Sequence, residues 1–211
     1  MSQSLFGGKK AAPQLLGFVV VALTMIEMFT IPKSYFALGS IVSTIAMACS
    51  AYLVSSDSAL KTKIRFPKIG VGIVTALILY FVFYLGNYGI NTLNLPGIKS
   101  GNEQGIYGLF SNVPIPLLIL ILALDAIGFE YYFRGNLQSL FAKKIGIGAV
   151  LLVAVIDAII HISTLNPLFP ATVIVADSVW GLNYYYTKDL YSTIVSHFLW
   201  DLLIFVFFPI H

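Results

Sequence analysis

This sequence predicts an all-α fold, a polytopic transmembrane helix bundle of about seven spans with a polar interior cavity, and four observations point to it. Charged residues make up 10% of the chain, where a soluble domain carries roughly 25%. Hydrophobic residues reach 58% and the mean hydropathy is +0.90. Apolar runs of about 18 residues or more, the length that crosses a bilayer as a helix, recur along the chain. Finally, the few charges inside those runs fall at helical spacing, which suits a bundle with a polar interior.

The spans follow in order. The first covers about 13–32, "PQLLGFVVVALTMIEMFTIP", and the second about 35–55. The third covers 70–92 and the fourth 114–141, a run longer than a bilayer needs. The fifth covers 145–163, the sixth 168–186 and the seventh 189–209. The connection 93–113 is the longest, and its Gly and Asn content suits an external or re-entrant segment. The chain divides into a short N-terminus (1–12), N-terminal helices and loops (13–113) and a C-terminal core (114–211).

Basic residues orient these spans. Nine of them (Lys9, Lys10, Lys61, Lys63, Arg65, Lys68, Lys143, Lys144 and Lys188) fall on one side, against Lys33 and Lys99 on the other. The positive-inside rule then puts the N-terminus in the cytoplasm and, with seven spans, the C-terminus outside. The formal net charge of +3 is explained by this topology, so it points to the lipid bilayer as partner and not to nucleic acid. "KTKIRFPKIG" reads as topogenic charge, with a surface helix on anionic lipid as the alternative. Lys9 and Lys10 before a long apolar run, with no A-x-A site, suit a retained anchor better than a cleaved signal. A single cysteine, Cys49, leaves no intrachain disulfide to form.

Seven ionisable residues other than histidine lie within spans: Glu27, Asp125, Glu130, Arg134, Asp157, Asp177 and Asp201. At a helix centre an Asp or Arg costs about 2.5–3.5 kcal/mol to insert, so each needs a partner or a purpose. The spacing supplies partners. Glu130 and Arg134 stand at i,i+4, as do Asp157 and His161 in "DAIIH", and His197 and Asp201 in "HFLWD". Carboxylate–imidazole pairs suit an activated water or a divalent metal, zinc first, with Glu130, His161 and His197 as a three-ligand set and an open position. Mutual neutralisation of each pair is the plainer reading. Asp177 is placed to contact His161 or Arg134. Glu27, alone in the first span, either lines a cavity or pairs with another helix. Trp180 and Tyr184–Tyr186 suit an interfacial aromatic belt, Trp200 suits packing, and Gly86, Gly89 and Gly181 suit close helix contacts.

The order of these motifs resembles a known family. The stretch from Glu130 to Gly135, "EYYFRG", is similar to the second half of the EExxFRG motif of the CPBP family. That family groups intramembrane proteases related to the type II CAAX prenyl endopeptidase with Abi-like bacteriocin-immunity proteins. His161 matches the family's F-x-x-x-H helix, and His197 and Asp201 match its final H-x-x-x-N/D helix. The likeness spans about 114–209. It implies peptide-bond hydrolysis of a membrane protein or peptide. In the family scheme the first glutamate and the second-motif histidine hold a water, the last motif stabilises the oxyanion or binds metal, and the arginine braces the second glutamate.

Two positions depart from the family pattern. Phe129 stands where the first glutamate belongs, and Asp157 stands where the phenylalanine of F-x-x-x-H belongs. A phenyl ring takes no proton, and moving Glu130 into its place means a turn of about 100° around the helix. Asp125, one turn before Phe129, and Asp157, one turn before His161, are the carboxylates placed to substitute. The expected function is an intramembrane endopeptidase working through a Glu/His-activated water or metal. The alternative is a catalytically silent immunity or scaffold protein. A small proton-linked transporter ranks below both, because no internal repeat is visible.

Overall fold

The computed structural model describes residues 11–54, 65–93, 106–110, 113–166 and 168–210. Lys9, Lys10, Lys61, Lys63 and Lys99, nearly all of the 93–105 part of the long connection, and His211 lie outside the described residues. All seven sequence-predicted spans are helical. They are α1 (Ala11–Thr30), α2 (Phe36–Val54), α3 (Phe66–Leu93), α5 (Ile115–Phe129), α7 (Gly148–His161), α8 (Leu168–Thr187) and α9 (Leu190–Leu202). A one-turn helix, α4 (Ile106–Phe110), precedes α5, and α6 (Ser139–Ile145) follows it.

Five helical segments are long and apolar enough to cross a membrane: Ala12–Thr30, Lys33–Leu53, Phe66–Leu93, Ile115–Ile145 and Leu190–Phe207. The other two are lesser candidates by that measure. Gly148–Thr164 is apolar but shorter. The twenty residues of α8 include Asp177, Asn183 and three tyrosines, which lower its hydropathy. This is an integral membrane protein, and burial shows the inversion that lipid imposes. Leu16, Leu77, Ile78, Leu85, Leu151 and Ile159 face outward. Inside lie Ser40, Thr44, Glu130, Arg134, Gln138, Asp157, Asp177, Ser196 and Asp201, all buried. With no water in the bilayer to solvate them, such groups turn to the bundle axis.

Local sequence sets the breaks. Pro114, extended at φ −57° and ψ 137°, starts α5. Gly146 takes a left-handed φ of 55° between α6 and α7, a conformation that glycine adopts without strain. Asp189 caps α9, its carboxylate accepting from the Ser192 N–H at 3.2 Å. Helix α1 packs on α2, α2 on α5, α7 on α8 and α3 on α9. Small residues permit the closest of these contacts. A Cβ on Gly72 would collide with the Ser192 carbonyl, and one on Gly181 would stand 2.8 Å from Val150. One on Gly128 would stand 3.0 Å from the Thr44 methyl. Gly181 thus serves as expected. Gly86 and Gly89 do not, since nothing lies within 4 Å of a Cβ built on either.

The fourth span is not α-helical throughout. Glu130–Gln138, which carries "EYYFRG", forms a π-helix of nine residues between α5 and α6. Its last turn closes where the Ser139 N–H reaches back to the Arg134 carbonyl, five residues earlier. The Ser139 hydroxyl donates to the same oxygen at 3.0 Å. Wider turns of this kind gather at functional sites.

Candidate active site

A cavity of about 440 Å³ opens within the bundle. Its walls are largely aromatic and aliphatic, from all of α1–α5 and α7–α9. Six titratable groups of the sequence-predicted set line it: Asp125, Asp157, His161, Asp177, His197 and Asp201. Phe129 lines it too, whereas Glu130 and Arg134 do not. The 100° step between neighbours on a helix is therefore decisive. The phenyl ring takes the cavity face, and the glutamate beside it is turned into the protein, with no exposed surface.

Glu130 holds a histidine instead. His197 Nδ1–H donates to Glu130 Oε1 at 2.9 Å, across from α9 to the π-helical segment. A carboxylate oxygen only accepts, so this bond assigns the tautomer and leaves Nε2 for the cavity side. Asp201 Oδ2 stands 3.6 Å from Nε2, beyond hydrogen-bond reach. The ring is also sandwiched. Trp180 stacks on it at 3.8 Å between centroids and 15°, and Phe129 meets it edge-on at 5.1 Å.

Arg134 keeps the expected ion pair with Glu130, its Nε 3.4 Å from Glu130 Oε2, although neither atom is aligned for a hydrogen bond. The guanidinium also grips Asp177 of α8 with two bonds, Nη2 to Oδ1 at 2.7 Å and Nη1 to Oδ2 at 3.4 Å. It thus sits between two carboxylates, one on its own segment and one on α8, and its hydrogen bonds go to the second. Of the two contacts expected for Asp177, the structure shows the one to Arg134.

The second histidine is held more loosely. His161 Nδ1–H donates to the Asp157 backbone carbonyl at 2.9 Å. The Asp157 side chain is near, with Oδ1 at 3.4 Å, but neither of its oxygens has a hydrogen-bond partner although the residue is 1% exposed. Phe169 of α8 stacks on His161 at 13°, and Phe29 of α1 packs at 5.0 Å. Asp125 has yet another setting. The hydroxyls of Ser40 and Thr44 on α2 donate to its two carboxylate oxygens.

Several expectations are corrected. Trp180 is no interfacial belt residue: it is buried against His197 and lines the cavity, as does Trp200, expected only to pack. Tyr186 is exposed, while Tyr184 bonds the Ser139 hydroxyl at 3.0 Å. Glu27 lies on the exposed face of α1 and does not line the cavity. Among the described residues, no three His, Cys, Asp or Glu side chains gather closely enough to hold a metal ion. Glu130, His161 and His197 are thus not gathered as a three-ligand set, because Glu130 accepts from His197 Nδ1 and lies off the cavity that both histidines line. The residues as arranged do not fit the metal centre expected from their types.

Sequence reasoning missed Ser40 and Thr44. Their signal was present: Ser40, Thr44, Met47 and Ala51 recur at helical spacing in the second span, and all four are buried.

Residues 111–203 match the family model described as Type II CAAX prenyl endopeptidase Rce1-like. No curated protein and no solved structure matches the chain. The matched segment runs from the start of α5 through α9 and contains Glu130, Arg134, Asp157, His161, Asp177, His197 and Asp201. Ser40, Thr44 and Phe29, which complete the cavity wall or bond to it, lie outside it.

Proposed function

We propose that this chain, which belongs through residues 111–203 to the CAAX-protease-like CPBP family, is an intramembrane endopeptidase that hydrolyses a peptide bond inside its cavity. One observation carries the reading: two histidines line one largely apolar cavity with an aspartate beside each, and each has its Nδ1 committed to a protein acceptor. Both imidazoles then keep Nε2 for a water or a substrate.

In this reading Asp157 takes the place that Phe129 leaves empty. Its carboxylate has no hydrogen-bond partner and stands beside His161, which suits a proton acceptor for a water that His161 Nε2 also holds. The water oxygen attacks the carbonyl carbon as its proton passes to Asp157. The same proton then moves to the departing nitrogen, the C–N bond breaks, and the products are an amine and a carboxylic acid that still carries the second water proton. His197, protonated on both nitrogens, donates Nδ1–H to Glu130 and Nε2–H to the developing oxyanion. Glu130 is a positioning residue, and Arg134 with Asp177 holds the helix that carries it. The basic residues support a cytoplasmic N-terminus.

The test is cleavage of membrane peptides by purified protein, in wild type and in Asp157→Asn and His197→Ala. Both variants are expected to lose activity. A stoichiometric divalent metal lost in His197→Ala would overturn the metal-free route. One observation favours a second reading, a silent binding member of the family: Phe129 presents a phenyl ring at the cavity face. Absence of cleavage by wild type, with Phe129→Glu creating it, would favour that reading.

A further inference from the structure

The cavity's charge is one-sided. Among the described residues its lining includes four carboxyl side chains and two imidazoles, and no lysine or arginine. Arg134 lies behind the wall, gripped by Asp177. Asp201 faces His197, and Asp157 sits beside His161. Asp125 differs from all of these. The hydrogen bonds to its side chain come from two hydroxyls, and it is partly exposed where the other three are buried. Both hydroxyls donate, so Asp125 is held as an acceptor. A carboxylate has about four lone-pair sites, so roughly two remain for another donor.

Its surroundings suit one kind of donor. Met25 of α1, Met47 of α2, and Leu122 and Phe129 of α5 line the same cavity, and Met25, Met47 and Phe129 belong to one apolar cluster. That is a sleeve for an aliphatic stem with an acceptor near it. Lysine and arginine bury their methylenes in such sleeves while the cationic head seeks an oxygen. A second observation points the same way: both Asp157 oxygens, buried in the cavity wall, lack a donor. An incoming carboxylate beside Asp125 would find like charge and no lysine or arginine in the lining to receive it.

We infer that Asp125 is a specificity site that seats a lysine or arginine side chain of the bound peptide, and that this cavity disfavours peptides bearing a carboxylate there. The inference rests on the cavity being where the peptide binds, and it adds the charge class of that peptide.

Both tryptophans of the chain line the cavity, so intrinsic fluorescence reports its occupancy. The probes are three Trp-free apolar peptides, acetylated and amidated, differing only by Lys, norleucine or Glu at one central position. They are titrated against the full-length protein in an uncharged maltoside detergent. The Lys peptide is expected to quench at a concentration about tenfold or more below that of the Glu peptide. In Asp125→Asn, which keeps the shape, accepts one hydroxyl through Oδ1 and donates Nδ2–H to the oxygen of the other, that gap is expected to collapse toward the norleucine value. Asp125→Ser, smaller and uncharged, guards against a misfolded first variant. Equal affinities in wild type, no quenching by the Lys peptide, or a gap unchanged in both folded variants would each overturn the inference. Cleavage is scored separately on the same peptides. Charge-selective binding without cleavage retires the endopeptidase reading and leaves this one standing. Cleavage without charge preference does the reverse.

Discussion

His161 and His197 share a sequence pattern and differ in almost every structural respect. Each stands four residues from an aspartate on its own helix. His197 is fixed by a carboxylate from another part of the chain, Glu130, and by a tryptophan stacked on its face. His161 is fixed by its own helix, through the Asp157 carbonyl, and by two phenylalanines. The aspartate carboxylate that the spacing assigned to each is nearby but not hydrogen-bonded to it: that of Asp201 stands 3.6 Å away, and among the described residues the Asp157 side-chain oxygens have no hydrogen-bond partner. The i,i+4 spacing brings two groups to one face, but geometry across helices decides which contact forms. One histidine is thus anchored, and the other is paired with a carboxylate still free to act.

That contrast can be broken experimentally, beginning with the largest effects. Asp157→Asn is expected to lower cleavage by about 10²–10⁴-fold, the usual yield of a positioned base. It should leave thermal stability level or higher, because it removes a buried charge that has no hydrogen-bond partner. A large fall in melting temperature with it would show that the carboxylate is structural. Glu130→Ala is expected to behave differently, losing both activity and about 3–5 kcal/mol of stability, because it strips a buried polar group of its partner. Thermal unfolding in detergent reads that difference directly. Asp177→Asn should cost a similar amount by leaving Arg134 unbalanced, with cleavage falling only as far as Glu130 shifts.

Phe129→Glu sharpens the comparison further. It puts a carboxylate on the cavity face, at an insertion penalty of about 2.5–3.5 kcal/mol. In that background Asp157→Asn is expected to retain cleavage, since the base has returned to its family position. If it stays inactive, Asp157 has a role other than proton acceptor. The smallest effect expected is from Phe169→Ala, which removes the ring stacked on His161. About 0.5–1.5 kcal/mol beyond the loss of packing, and a modest rise in KM, are expected from calorimetry and kinetics.

Much of this was legible in the sequence. The spans were written in apolar runs, because lipid imposes a length and a composition that single residues rarely disguise. The buried Asp, Glu, His and Arg were legible as site candidates because each is too costly in hydrocarbon to be incidental. What stayed hidden depended on backbone geometry or on distance between helices. Nothing in "EYYFRG" announces a π-helix, and nothing in the spacing decides between His161 and Arg134 as the partner of Asp177. Trp180 ends a span beside tyrosines and Lys188, so it looks interfacial until α9 brings His197 against it. Phe129 was the exception. The family resemblance put it where the motif's first glutamate belongs, the 100° step kept Glu130 from taking that place, and in the structure the phenyl ring lines the cavity.

The glycines of α3 give that helix two unlike halves. At Gly72 its backbone touches α9 so closely that no methyl group fits, while at Gly86 and Gly89 the space beside it is open, and Gly86 and Asn87 border the cavity. In mechanical terms α3 is a strut seated at three points: its backbone at Gly72 on α9, the Tyr80 hydroxyl donating to the Phe208 carbonyl, and Phe83 packed on Trp200. A peptide coming in from the lipid past Gly86 and Gly89 would meet bare backbone at those two positions.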